Sequence, residues 1–230
     1  MTSLPVSHPP RFVEDEWIRK FDPAKRLITG SAYLFVKRLF DITLVIFSSP
    51  AWVPLMLIIA MVIRFTSPGA PALFTQLRTG RGGKRFRMFK FRSMLPNAEE
   101  LKIKYTHLNE LQWPDFKITN DPRVTKIGRF LRKTSLDEIP QLFNVFKGEM
   151  SLVGPRPTSF GSETYKLWHT ERLDVTPGLT GLWQIIGRAQ LEFDDRLRLD
   201  IMYIERAGLW FDICILYRTM TAVFKQRGAH

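Results

Sequence analysis

The chain has 230 residues with 45% hydrophobic content, enough for one good core, and no internal repeat or low-complexity block points beyond one principal domain. Its 34 basic side chains against 22 acidic ones leave a formal charge of +12, which calls for an anionic partner: nucleic acid, an anionic membrane surface or a phosphorylated substrate. The single cysteine, Cys214 in the apolar run WFDICILY, excludes an intrachain disulfide, fits a reducing compartment and reads as a small buried hydrophobe.

The first thirty residues carry prolines and mixed charges and lack the early apolar region of a secretory signal. Residues 1–36 are expected to form an extension that lies on the surface or is partly disordered. From Ile42 to Ile63 no residue carries a formal charge, and a straight helix of that length just crosses a hydrocarbon core of about 30 Å. Two features resist a simple span across residues 37–64. Ser48, Ser49 and Pro50, with Pro54 one turn later, interrupt the helix where a span is deepest in lipid. Lys25, Arg26, Lys37 and Arg38 before the run and Arg64, Arg78 and Arg81 after it leave no charge asymmetry, so both ends favour the cytoplasm. A re-entrant helical hairpin satisfies both observations, and a kinked span is the alternative. Asp41 is placed to pair with Lys37 and Arg38.

Alternating residues around Leu73 to Arg78, a turn at GRGG and renewed alternation from Phe86 to Phe91 predict a β-hairpin. Seven bases, from Arg78 to Arg92, occur there without an acid, suiting either a face laid on anionic lipid or a phosphate-collecting patch. Two stretches, NAEELKIKYTHLNELQW and RVTKIGRFLRKT, have helical spacing, whereas VTPGLTGLWQIIGR reads as an irregular loop followed by a short extended piece. Two helices broken at Gly208 end the chain. The second carries an apolar face (Leu209, Trp210, Ile213, Leu216, Tyr217, Met220, Phe224) suited to a core or to a membrane interface.

The segment TSLDEIPQLFNVFKGEMSLVGPRP sets Asp137 and Glu138 ahead of an apolar helix and ends on Arg156 between two prolines. Ser135 and Glu138 fit the spacing of a capping box. Pro140 argues that the regular helix starts near Ile139 or Pro140, leaving the carboxylates at its mouth. Adjacent residues on a helix point apart, so the two acids are suited to separate tasks rather than to sharing a proton. A plain surface turn is the simplest reading of GPRP alone.

Six separated motifs, KRLFD, SSP, KFRSM, LRKTSLDEIPQLFNVFKGEMSLVGPRP, PGLTGLWQIIGR and LDIMYIE, occur in the order found in the bacterial sugar transferase family. The chain resembles these monotopic polyprenyl-phosphate phosphoglycosyl transferases from about Lys37 to Lys225, in their minimal catalytic form. The resemblance implies an α/β (α+β) fold: a compact, helix-rich cytoplasmic domain over residues 65–230 with a small sheet, a re-entrant membrane helix and interfacial amphipathic helices. It implies transfer of a hexose 1-phosphate from a nucleotide diphosphate sugar, UDP-linked in most members, to a polyprenyl phosphate such as undecaprenyl phosphate. UMP is released and a lipid-linked glycan is begun at the bacterial inner membrane. It further implies Asp137 as nucleophile and Glu138 as Mg²⁺ ligand, with Asp137 close enough to share the metal. Arg132 and Arg156 would neutralise the diphosphate, Lys90, Arg92, Gln184 and Arg188 would neighbour the site, and Ser49 and Pro50 would break the membrane helix. Among Arg132, Lys133 and Arg156, Asp137 is expected to stay ionised.

Three rival classes fit less well. A membrane-tethered nucleic-acid binder accounts for the charge but not for the acid pair, and no nucleic-acid-binding signature is present. The acids of a glycosidase flank a bond at least about 5 Å apart, which sequence neighbours seldom do. A catalytically inert membrane-anchored scaffold or anionic-polymer binder is the alternative, and Asp137 is its test. A homo-oligomer is compatible with the sequence.

Overall fold

The computed structural model describes residues 16–26, 28–110, 116, 118–159, 161, 167–187 and 191–224. In chain order these form helices α1 (Glu16–Arg19) and α2 (Gly30–Thr66), strands β1 (Leu73–Thr79) and β2 (Arg85–Phe91), and helices α3 (Ala98–Lys104), α4 (Lys126–Lys133) and α5 (Gln141–Lys147). Strands β3 (Ser151–Val153) and β4 (Gly178–Thr180) and helices α6 (Leu182–Ile186), α7 (Phe193–Arg206) and α8 (Leu209–Phe224) follow. Helices predominate over two small sheets, in keeping with an α+β arrangement.

The hairpin forms as its alternation predicts. β1 pairs antiparallel with β2 from Leu73 opposite Phe91 to Thr79 opposite Arg85. Gly82 and Gly83 take positive φ in its turn, where a side chain would be strained. The outer edge of β2 is closed by an amide: buried Asn144 of α5 accepts from the Phe89 N–H (3.0 Å) and donates to the Arg87 carbonyl (2.8 Å), as a neighbouring strand would. This pins α5 to the strand that carries Lys90. A second sheet, β3 parallel to β4, is absent from the sequence reading because three-residue strands are too short to show a period. The piece after Gly181, expected to be extended, is instead helix α6, since burial of Leu182 and Trp183 against the core overrides the β-branched composition.

α2 is the common wall of the molecule. Lys37, Asp41 and Val45, then Met56, Ile59 and Ile63, form a buried stripe, with half-buried Ser49 and Trp52 between them, so one face of the helix is packed along its length. The first half joins Met150, Val153, Leu199, Tyr203, Phe211 and Ile215. The second half joins Phe91 and Leu131, with Leu136 and Ile139 at the margin. The other face exposes large apolar side chains, among them Phe35, Phe47, Leu57, Met61 and Phe65.

Ser49 and Pro50 do not end the helix, which continues to Thr66. They alter its bonding. Pro50 has no N–H for the Ile46 carbonyl, and Ser49 Oγ donates to that oxygen instead (2.7 Å). Ser48 Oγ donates to the Leu44 carbonyl (2.6 Å), and Trp52 Nε1 reaches back to the Val45 carbonyl (3.1 Å).

Buried polar contacts fix the first half of α2. Lys37 Nζ lies 2.7 Å from Asp212 Oδ2 of α8, and Tyr33 and Tyr203 donate to the same carboxylate at 3.1 and 2.7 Å. Asp41 accepts from Ser151 Oγ (2.7 Å) and the Leu152 N–H (3.2 Å), and Arg38 donates to the last carbonyls of α5, Val145 (2.6 Å) and Phe146 (2.8 Å). The pairing expected within KRLFD is therefore replaced: packing against the domain offers each charge a partner outside the helix. The described part of the N-terminal extension is also folded. Ile18 is buried, and the rings of Trp17 and Phe21 lie tilted against Phe211 with centroids 5.8 and 4.7 Å away.

α7 and α8 meet around Gly208, as expected. Phe211 and Ile215 of α8 face the core while Trp210, Tyr217 and Met220 are exposed, so the helix is both a core helix and an apolar surface. Cys214 is half-buried, less enclosed than expected, because it lies beside rather than on the core edge.

Candidate active site

Four segments converge on Asp137 and Glu138. α4 supplies Arg132. Gly128, one turn earlier on the same face, lets that helix press on the Ser93 carbonyl, where an added Cβ would lie 1.9 Å from the oxygen. Arg132 Nε then donates to Ser93 Oγ (2.9 Å). α4 ends at Thr134, and Ser135 adopts φ 58°, the left-handed conformation that costs a non-glycine residue roughly 1–2 kcal/mol. The chain then makes a 3₁₀ turn over Leu136–Glu138 before α5 starts at Gln141, capped by Pro140. The helix start thus falls within a residue or two of expectation. The capping box does not form: Ser135 makes no side-chain cap bond, and the Glu138 carboxylate is engaged elsewhere.

Glu138 Oε1 accepts from Lys90 Nζ (2.9 Å), and both Glu138 oxygens accept from the Arg156 guanidinium, Nη1 to Oε2 at 3.1 Å. This two-pronged contact uses the planar fork that lysine lacks. Burial alone would lift Glu138, but Arg156 and Lys90 outweigh it and hold the carboxyl well below the usual range. Arg156 is in turn raised by Glu138 against the opposing effect of burial.

Asp137 is the opposite case. It is 8% exposed, and among the described residues no hydrogen bond reaches its carboxylate. Burial lifts its pKa above the ordinary value and neighbouring Glu138 adds to this, while Lys90, Arg132 and Arg156 oppose it. Of the cations expected to serve Asp137, Arg156 instead contacts Glu138 directly, while Arg132 acts on Asp137 at a distance and donates to Ser93. The acids therefore differ: one is locked and strongly acidic, the other unbonded and less acidic.

GPRP is not a surface turn. Gly154, Pro155 and Pro157 are buried, and the Pro155 carbonyl accepts from the Gly178 N–H of β4 (2.8 Å). The Thr158 carbonyl accepts from the Thr79 N–H of β1 (3.0 Å), and Arg172 Nη2 donates to the Arg156 carbonyl. Arg172 is itself held by Asp200 Oδ2 of α7 (2.6 Å). Asp200 is fully buried, and burial raises it to about 6 although Arg172 and Arg196 pull the other way. Neither Arg172 nor Asp200 was singled out from the sequence. Asp200 lies in LDIMYIE, but nothing in that stretch signals its partner 28 positions upstream.

Lys90, Arg132, Asp137, Glu138 and Arg156 are thus brought together. Arg92, one residue beyond β2, is not among the groups acting on either acid; burial lowers its pKa. Gln184 stands in α6 beside Trp183, which lines a neighbouring cleft with Arg156, Arg172 and Asp200. Arg188 lies outside the described residues. Among those residues no group of three or more His, Cys, Asp or Glu forms a metal cage. Mg²⁺ takes one or two carboxylates together with substrate phosphates, and of the two acids Asp137 has its oxygens unengaged among the described residues, whereas those of Glu138 already accept from Arg156 and Lys90.

A family model described as bacterial sugar transferase matches residues 32–226. The undecaprenyl-phosphate galactose phosphotransferase of Salmonella typhimurium is 45% identical over 206 residues, covering 85% of the chain and 42% of that protein. The UDP-galactose-lipid carrier transferase of Erwinia amylovora is 42% identical over 205 residues, covering 85% and 42%. The exopolysaccharide production protein ExoY of Rhizobium meliloti is 37% identical over 212 residues, covering 90% and 92%. The chain thus spans less than half of the first two relatives and nearly all of the third.

Proposed function

The chain belongs to the bacterial sugar transferase family, and on that footing we propose that it transfers a hexose 1-phosphate from a UDP-sugar to a polyprenyl phosphate, such as undecaprenyl phosphate, and so begins a lipid-linked exopolysaccharide, capsule or O-antigen glycan. The observation that carries this reading is the division of labour between the acids. Glu138 is locked by Arg156 and Lys90, whereas Asp137 beside it has no hydrogen-bond partner among the described residues and is available as a nucleophile. The names of the Salmonella and Erwinia relatives supply the donor and acceptor classes.

In this reading a carboxylate oxygen of Asp137 attacks the phosphorus bonded to the sugar. The bond from that phosphorus to the bridging oxygen breaks, and UMP leaves with the electron pair. The resulting acyl phosphosugar is attacked by an oxygen of the lipid phosphate, which regenerates the carboxylate. Arg156 and Arg132 offset the charge developing on the phosphate oxygens, and Lys90 serves the same side. Glu138 and Asp137 would hold Mg²⁺, which supplies further neutralisation of the diphosphate when bound. The basic flanks of α2 support a re-entrant anchor with the catalytic domain on the cytoplasmic face of the inner membrane.

The test mixes enzyme, Mg²⁺ and UDP-sugar without lipid and seeks a sugar phosphate by intact-mass and peptide analysis. An adduct is expected on the peptide bearing Asp137, with ping-pong kinetics once lipid is added. Absence of the adduct together with sequential kinetics would replace this mechanism with direct transfer.

A further inference from the structure

A cleft of about 360 Å³, within the range of small-molecule sites, is lined by Arg156 on its catalytic side. Among the described residues none from α2 lines it. The acid pair is flanked by the α2 cluster through Leu136 and Ile139, and by this cleft through Arg156. Among the described residues five cations, Arg78, Lys102, Arg156, Arg172 and Arg196, line the cleft against one carboxylate, Asp200. Aromatic rings stand among them. The Arg196 guanidinium lies 5.4 Å from the ring centre of Trp183 and 5.7 Å from that of Phe193, and both rings are half-buried. Cations alone would suit any phosphate. An aromatic plane set among them suits a planar base joined to phosphates.

We propose that this cleft receives the nucleotide half of the donor, with the diphosphate reaching Arg156 and the pyrimidine lying against Trp183 beside Arg196. The placement rests on the donor reading above and deepens it. Its direction follows from the reaction. Asp137 needs the sugar-bearing phosphorus at the pair, and a lipid acceptor needs the α2 side, so the departing nucleotide is left with the side that α2 does not line. Arg172, tied to Asp200 and to the Arg156 carbonyl, acts there as a positioning residue that holds Arg156 at the junction.

The experiment titrates the full chain in detergent micelles with UDP and with inorganic pyrophosphate. UDP should bind about tenfold or more tightly than pyrophosphate, the scale of one stacked base. Arg196→Gln should weaken UDP binding at least about fivefold, and Trp183→Leu should remove the preference for UDP over pyrophosphate. Because Trp183 also packs on the core, the unmodified chain is irradiated in parallel with 5-azidouridine diphosphate. Labelling of the peptide bearing Trp183, or of that bearing Phe193 and Arg196, supports the placement. Labelling confined to other peptides, or variants that bind UDP as the native chain does, overturns it and leaves the donor reading standing. A native chain that binds no UDP overturns both.

Discussion

At Asp137 burial and charge pull in opposite directions, and the next residue in the sequence is one where the balance is reversed. Glu138 touches Arg156 and Lys90 directly; Asp137 feels them only at a distance. Asp137→Asn keeps the volume but removes the proposed nucleophile, so turnover should vanish in a UMP-release assay. Glu138→Gln removes the anion that balances Arg156 and Lys90 and should also cut the rate severely. Arg156→Lys keeps the charge and loses the fork, and activity should fall by roughly 10² or more; near-native activity would reduce Arg156 to a structural role. The proximity of Asp137, Glu138 and Arg156 was legible only through the family resemblance, since their order alone suited a capping box and a surface turn. Partnerships were not legible. Arg132 finds Ser93 through the close approach at Gly128, and Arg156 is braced by Arg172 and Asp200, contacts that depend on distances no local spacing encodes.

At the scale of elements, α2 decides how the chemistry meets the lipid. One face is packed from Lys37 to Ile63 while the other exposes apolar side chains, so the two ends of the helix are tied to one domain. Both flanks should therefore lie on the same side of the membrane. With Cys214→Ser as background, Ser31→Cys and Thr66→Cys should react equally with an impermeant maleimide in inverted membranes, and opposite accessibility would sink the re-entrant anchor. Ser49→Ala with Pro50→Ala restores the regular helix bonds and should move part of the population to a spanning state. The hairpin and the α7–α8 break were readable from alternation and from glycine, because turns announce themselves locally. The β3–β4 pair and α6 were not, since such short pieces take their conformation from what they are packed against.

For the whole molecule, stability and access to substrate are joined through buried charge. Asp200 sits near 6 against an ordinary 3.8, so folding takes up a proton between those values. Its contribution is fully present below about 3.8 and is lost as pH rises through about 6. Melting temperatures from pH 4 to 7 should therefore decline for the native chain relative to Asp200→Asn, whose profile lacks that component. The net charge called for an anionic partner without naming it, and the structure gathers five of the basic side chains, Arg78, Lys102, Arg156, Arg172 and Arg196, around one cleft. The junction of Leu136 and Ile139 with the α2 cluster has a kinetic meaning as well. If the pair is held at a constant height beside the anchor, the acceptor is encountered in two dimensions while the donor arrives from three. The velocity should then follow the mole fraction of polyprenyl phosphate within a mixed micelle rather than its molarity in the tube. Adding inert detergent at constant amounts of enzyme, donor and acceptor should slow the reaction by surface dilution, with the donor's KM unchanged.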